Sequence, residues 1–455
     1  MRPQRLDANI RNRRICAGAW AEYFAMAPPP LAEYHSSLGL STQWPRAFRA
    51  AILAVTFAAG AAGAVSSEEQ GPAPFRAPYL PASDGEALQE VPSAADPAVT
   101  AMRLLRARFD AAPHSLADAM PLADAYVEYS RQIGDAHYAG YAEAVIAPWM
   151  AVKEPPARIL VTQATILQYR HQFADARGLL LRAIKADARN TQAWLTLATL
   201  DMVQGDYRSA GRSCSQVTSL AGIDLGLACS GSLRSYTGQA RQSLTMLLQA
   251  EAAAMKSPAA YQAWIQGLIA ETAERLGDWN LAEAHYRKAL ELLPQDNFLL
   301  VAYADFLLDR TRPREVLDLL AAHTQSDTAF LRLALAKSAL RSEDAQRLNW
   351  IMAARFEALT QRGSDYFGRE QSRFALQLQH DPQTALYMAR RNWQLQRAPW
   401  DARVLLEAAL AAHEPRAAAD VLDFLRETQL EDPIVLPLAA AIREQLRNAP
   451  QAKDR

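Results

Sequence analysis

Two stretches of this 455-residue chain share one spacing, and that spacing decides what the chain can fold into. NTQAWLTLATLDMVQGDYRSA and QGLIAETAERLGDWNLAEAHYRKALELLPQD each run through an apolar segment of helical period to a glycine. An aromatic follows two residues later and an alanine three after that. Counting from Thr191 puts Trp194 at position 4, Leu197 at 7, Ala198 at 8, Gly205 at 15, Tyr207 at 17 and Ala210 at 20. Counting from Ala263 puts Gly277 at 15, Trp279 at 17, Ala282 at 20, Tyr286 at 24, Ala289 at 27 and Pro294 at 32. Small residues let two antiparallel helices approach closely. Glycine supplies the left-handed residue that ends the first helix, and proline stops the second. Such a pair cannot bury its apolar face alone, so it must stack on copies of itself.

The pattern resembles the tetratricopeptide repeat, and weaker copies extend it. From Ala157, Phe173 falls at 17, Ala176 at 20, Leu180 at 24 and Ala183 at 27. A degenerate copy surrounds Tyr236-Thr237-Gly238, with a register slip near Lys256-Ser257-Pro258; 134–149 and the chain beyond Asn297 read as divergent hairpins. The resemblance implies an all-α fold, a right-handed α-solenoid of stacked antiparallel helix pairs. The expected organisation is a leader over 1–66 with a secretory signal peptide, a proline-rich linker over 67–96 and divergent helical repeats over 97–156. A repeat array over 157–330, divergent hairpins over 331–447 and a disordered tail over 448–455 follow.

The resemblance also implies a function. Members of that family bind peptides or protein surfaces on the concave face, at positions 2, 5, 9, 12 and 13. Here those positions give Thr165, Gln168 and Tyr169, then Thr199, Met202 and Val203, then Trp264, Gly267, Glu271, Glu274 and Arg275. The lysine, arginine and asparagine cluster with which some members clamp a terminal carboxylate is missing. The mixed apolar and polar face suits an amphipathic helix or an extended segment of a protein partner.

The N-terminal region bears on the compartment. Arg46 and Arg49 precede an uncharged apolar run from Ala50 to Val65, shorter than the ~20 residues a membrane-crossing helix needs. The run ends in Ala62-Gly63-Ala64, an A-x-A pattern, and predicts cleavage after Ala64 and export to the periplasm or beyond. An uncleaved inner-membrane anchor over 50–65 is the alternative. The 45 residues ahead of Arg46 are unusual for a signal peptide and point to a translation start further on, near Leu38 or Leu40. A net charge of −1 gives no reason to expect nucleic acid as a partner.

No motif for catalysis, metal or cofactor stands out: no HExxH, P-loop, GxGxxG or GxSxG is present. No catalytic residue, metal site or cofactor is expected. Glu271 with Glu274, and Glu283 with Glu291, read as solvated faces, and Arg369, Glu370 and Arg373 as an exposed charge face. The aromatic stripe of Trp350, Phe356, Tyr366, Phe367, Phe374, Trp393 and Trp400 reads as core. The functional expectation is a cell-envelope adaptor for protein–protein contacts. Its rivals are an enzyme with an unrecognised site in the C-terminal helices and a structural subunit of a membrane complex.

Of the three cysteines, Cys214 takes position 24 on the inner side of its second helix, and Cys229 lies early in the next. Antiparallel helices joined across Ala221-Gly222-Ile223-Asp224 would bring the two near the ~5.5–6 Å Cα separation of a disulfide. In a reducing cytosol the same geometry means two buried small side chains. Export favours a Cys214–Cys229 bridge over that reading, over a redox-active pair and over a metal site.

Overall fold

The computed structural model describes residues 96–361 and 368–448, and every regular element in them is helical. The expectations for the leader, the signal segment and the tail fall outside those residues, as do Tyr366 and Phe367. An N-terminal helix α1 (Pro97–Ala111) precedes nine helical hairpins. These are α2 (Leu116–Ile133) with α3 (His137–Met150), α4 (Ala157–Tyr169) with α5 (Phe173–Ala186), and α6 (Thr191–Val203) with α7 (Tyr207–Ala221). Next come α8 (Ile223–Ser235) with α9 (Ala240–Ala253), α10 (Ala259–Arg275) with α11 (Trp279–Leu292), and α12 (Asn297–Asp309) with α13 (Pro313–Leu320). The last are α14 (Asp327–Ala339) with α15 (Ala345–Gln361), α16 (Gly368–Gln377) with α17 (Pro382–Leu395), and α18 (Pro399–Ala411) with α19 (Ala419–Thr428). Helix α20 (Val435–Asn448) closes the array.

One residue in the left-handed conformation marks every hairpin corner: Gly134, His171, Gly205, Gly238, Gly277, Thr311, Arg341, His380 and His413, with φ between 53° and 76°. They recur at intervals of 30 to 39 residues. At eight of the nine, the following residue donates its N–H to the carbonyl five positions back, at 2.8–3.2 Å, which satisfies an orphan carbonyl of the first helix. Asp206 and Asp278 then cap the second helix, accepting from Ser209 and Leu281 backbone N–H groups at 3.0 and 3.1 Å. The long interval from Gly238 to Gly277 contains a 3-10 turn, Ala254–Lys256, where the sequence register slips.

Alanines fill the helix crossings. Ala164, Ala176, Ala183, Ala198, Ala210, Ala270, Ala282 and Ala289 are fully buried. In α8 the same role falls to Gly231, where an added Cβ would lie 2.9 Å from Leu247. Each hairpin packs on the next through such seams, so the core runs lengthwise along the chain.

The array also closes on itself. Arg131 of the first hairpin is buried in an ion pair with Asp296, 165 residues later, while also pairing with Glu128. The Arg397 N–H donates to the Val203 carbonyl at 2.8 Å, and the Ala240 N–H to Glu431 at 2.9 Å. Corners therefore meet segments five to six hairpins further on. A Cβ on Gly205 would sit 3.2 Å from that of Arg397, and one on Gly238 would lie 2.6 Å from the Gln429 carbonyl. Both glycines serve the left-handed corner and the close approach of the later segment.

The inner side of this closure is ionic, which corrects one sequence reading. Arg369, Glu370 and Arg373 are buried, at 3%, 1% and 4% exposure, and do not form a solvated charge face. Arg332 binds Asp305 through two bonds at 3.0 and 2.7 Å and also pairs with Glu370. Arg373 reaches Asp305 at 2.7 Å, and Arg369 lies between Glu370 at 3.2 Å and Asp401 at 3.6 Å. Asn392 donates to Asp401 at 2.7 Å, and Gln396 continues the chain from Asn392 to His171. Among the described residues, three carboxylates here meet three guanidiniums. Burial alone would raise Asp305 and Glu370, yet the surrounding arginines hold both below the ordinary carboxylate range. Burial, with Arg369 nearby, pushes His171 down to about 3, so it stays neutral in the seam.

Candidate functional site

The groove positions divide into sealed and reachable sets. Thr165, Gln168, Thr199, Met202, Val203 and Trp264 are all buried, and Tyr169 is half-buried. The Thr199 hydroxyl donates to the carbonyl of Leu195 in its own helix, and Met202 and Val203 belong to the main apolar core. Trp264 packs among Leu195, Cys214 and Leu225. As described, these side chains face packed protein, because the inner side of the solenoid is filled by its own later hairpins.

Glu271, Glu274 and Arg275 differ from these. They line a small open cleft where α10, α11 and α12 meet α18 and the segment before α20. Trp279, Trp400, Pro399, Pro433, Ile434 and Val435 supply its apolar wall, and Asp309, Arg403 and Asp432 its remaining charges. The repeat supplies much of this directly. Positions 9, 12 and 13 of one helix deliver Glu271, Glu274 and Arg275, and the corner aromatic at 17 delivers Trp279. The other side comes from elements over a hundred residues later, which repeat spacing cannot reveal.

Most charges in the cleft have fixed partners. Arg403 binds Asp309 through two bonds at 2.6 and 2.7 Å, reaches Glu407 at 2.7 Å and stacks over Trp400 at 4.6 Å. Arg275 donates to Ser235 at 2.8 Å, pairs with Glu271 at 3.4 Å and lies over the Tyr236 ring at 4.7 Å. Asp432 accepts from the Ile434 and Val435 backbone at the start of α20, at 2.9 Å each. Glu274 accepts the Tyr286 hydroxyl and makes no ion pair among the described residues. Burial raises Glu271 to about 7; burial, with Asp309 and Glu271 nearby, raises Glu274 to about 8. Glu271 and Glu274 are thus a buried and a half-buried carboxyl in a mixed wall, not a solvated face.

Of the aromatic stripe, Phe356 and Phe374 pack edge to face in the core at 5.4 Å. Trp393 meets Phe424 edge-on at 5.2 Å and wedges α17 against α19. Trp400 walls the cleft, and Trp350 corrects the core reading, being 68% exposed on α15. Periodicity alone gives no sign of that exposure.

Cys214 and Cys229 are bonded in the structure, with Cα atoms 5.5 Å apart, joining α7 to α8. Both are buried among Val217, Leu225, Ala228 and Leu247. Among the described residues no helix is long and apolar enough to cross a membrane.

No protein-family model and no curated protein matches the chain. Among solved structures it is similar to PilW, a type IV pilus biogenesis factor, at 14% identity over 62% of this chain and 97% of that one, with a TM-score of 0.31. It is also similar to yeast Tom70, at 9% identity over 78% and 87% of the two chains, with a TM-score of 0.36. The TPR domain of P58(IPK) aligns at 12% identity over 79% and 96%, with a TM-score of 0.21. Superpositions this loose carry no weight beside the chain's own geometry. Corner residues at 30- to 39-residue intervals, alanine crossings and pairwise packing along the chain make it an α-solenoid of tetratricopeptide-type hairpins.

Proposed function

We propose that this chain is a non-catalytic adaptor of the cell envelope that holds a protein partner at the cleft around Glu274. The observation that carries this reading is the division of the groove. The sealed positions face the chain's own hairpins, whereas Glu271, Glu274 and Arg275 line an opening with aromatic and apolar walls. A small cleft with an apolar wall and a few placed charges suits one anchoring side chain of a larger interface. Export is supported by the apolar run with its A-x-A ending and by two cysteines at bonding distance, a pairing that oxidising compartments sustain. The rival enzyme in the C-terminal helices finds little support. The cluster of Asp305, Arg332, Glu370 and Arg373 is buried and ion-paired, which is how structural ion networks are built.

The test is affinity purification of the tagged full-length chain from envelope fractions, beside a Trp279→Leu variant at the cleft wall and a Trp350→Ser variant remote from it. A partner recovered with wild type and Trp350→Ser but lost with Trp279→Leu supports the reading. A partner retained by Trp279→Leu places the contact elsewhere on the solenoid.

A further inference from the structure

The charges of the cleft do not balance. Four carboxylates line it, from Glu271, Glu274, Asp309 and Asp432, against two guanidiniums, from Arg275 and Arg403. Asp309 is matched by Arg403, Glu271 by Arg275, and Asp432 by the backbone N–H groups it caps. Glu274 has a neutral phenol as its hydrogen-bond donor and no ion pair among the described residues. Around it stand Trp279, Trp400, Pro399, Pro433, Ile434 and Val435. The rim already accepts cations on its aromatic faces: Arg310 lies 4.7 Å over Trp279 and Arg403 lies 4.6 Å over Trp400.

From this we infer that the cleft receives a lysine or arginine side chain of the partner, its alkyl stem along the proline and tryptophan wall and its charge against the Glu274 carboxylate. The inference rests on the adaptor reading and adds the chemical class of the anchoring residue. A long amphipathic cation is the side chain that fits both an apolar wall and a carboxylate without a cation. A carboxylate-bearing anchor would meet a wall in which carboxyl side chains outnumber guanidiniums and both guanidiniums are already paired. An apolar anchor would leave Glu274 to be dehydrated without compensation. The ordinary peptide-terminus clamp of cationic side chains is thus replaced here by its opposite, an acidic receptor for a basic residue.

The titratable groups that face Glu274 are Glu271 and Arg275 on α10, Tyr286 on α11, Asp309 on α12, Arg403 on α18 and Asp432 before α20. Among the carboxyls of this set Glu274 and Glu271 are shifted upward, so binding of a cation strengthens as pH rises from 6 to 8.

The experiment selects a random peptide library displayed on phage against the intact full-length protein at pH 8. The best sequence is then synthesised and bound to wild type, Glu274→Gln and Trp279→Leu. Glu274→Gln keeps an acceptor for Tyr286 and removes the charge, and near-ultraviolet dichroism checks that both variants remain folded. The expected result is a lysine or arginine fixed at one peptide position. Changing it to norleucine, or using Glu274→Gln, weakens binding roughly ten- to thirtyfold, with little further loss when both are combined. Peptides that bind without a fixed basic residue, or equally well to Glu274→Gln, overturn the basic anchor and leave the adaptor reading standing. A library that yields no binder counts against both.

Discussion

Asp305 offers the sharpest test of how the solenoid closes. Its carboxylate is fully buried and carries two bonds from Arg332, at 3.0 and 2.7 Å, and one from Arg373, at 2.7 Å. Asp305→Ala leaves those guanidiniums buried, with Glu370 as the remaining carboxylate close to Arg332. Removing one partner from a buried ion pair costs about 3–5 kcal/mol, because the other charge stays dehydrated without compensation. The matched surface control is Arg106→Ala. Its pair with Asp110 is 52% and 55% exposed, and such pairs contribute about 0–1 kcal/mol. Urea unfolding followed by tryptophan emission compares the two. With an m-value of roughly 3 kcal/mol per M for a chain of this size, Asp305→Ala lowers the midpoint by about 1 M or more, and the control barely moves it. Replacing Asp305 and Glu370 with Leu and both Arg332 and Arg373 with Met, which leaves Arg369 beside Asp401, restores most of the loss, since a well-packed apolar cluster can stand in for an ionic one. Equal midpoints for Asp305→Ala and Arg106→Ala would refute the reasoning: α12, α14 and α16 would then not meet around a sealed network.

Ala282→Leu is expected to destabilise by roughly 1–3 kcal/mol in thermal or urea unfolding, because Ala282 has no exposure at the crossing of α10 and α11. Thr311→Gly is expected to stabilise by about 0.5 kcal/mol: a β-branched residue at φ 55° is strained, and the extra freedom of glycine in the unfolded chain offsets part of the relief. The Cys214→Ala, Cys229→Ala double variant should lose about 3 kcal/mol, the chain-entropy value for a loop of 15 residues, and peptide mapping without reduction of exported protein should recover the two cysteine peptides linked. Glu271 and Glu274 titrate in the folded state at about 7 and about 8, above their unfolded values, so the folded protein holds protons the unfolded chain has lost. Their contribution to stability is complete below about pH 4.5 and declines as pH rises towards 8. Glu274→Gln should therefore stabilise more at pH 8 than at pH 5, and a constant difference in urea midpoint across that range would contradict the assignment.

The repeat was most legible at two of its glycine corners. At Gly205 and Gly277 the left-handed residue, the capping aspartate after it and the aromatic at 17 all stand in the sequence. His171, Thr311, Arg341, His380 and His413 adopt the same conformation without announcing it, which is why the array beyond Asn297 reads as divergent although its corners keep the period. Arg369, Glu370 and Arg373 show a second limit. Helical spacing places them on one stretch, but an exposed face and a buried face opposite Asp305 and Arg332 have the same spacing; the partners sit 38 to 68 residues away. The site was half visible for the same reason. Register singled out Glu271, Glu274 and Arg275, which line the cleft, while Trp400, Arg403 and Asp432 come from the later turn of the array.

The pitch of the winding is the property that local sequence does not express, and here it decides which groove positions stay open. Hairpins stacked with a wide pitch leave an open groove whose positions are all available to a ligand. In this chain the closure from Arg131 to Asp296 and from Val203 to Arg397 turns most of those positions into core. The inner residues are accordingly those of an interior: alanine, leucine and methionine in one half, a buried ion network in the other. What the closure leaves is a cleft at the join, where α18 and the segment before α20 come against α10 without filling the space between Trp279 and Trp400. On the adaptor reading proposed above, specificity for a partner rests on a few side chains at that join and not on a long concave surface. Substitutions at Glu274 or Trp279 should change what is bound, whereas substitutions at Thr199 or Met202 should change whether the solenoid folds.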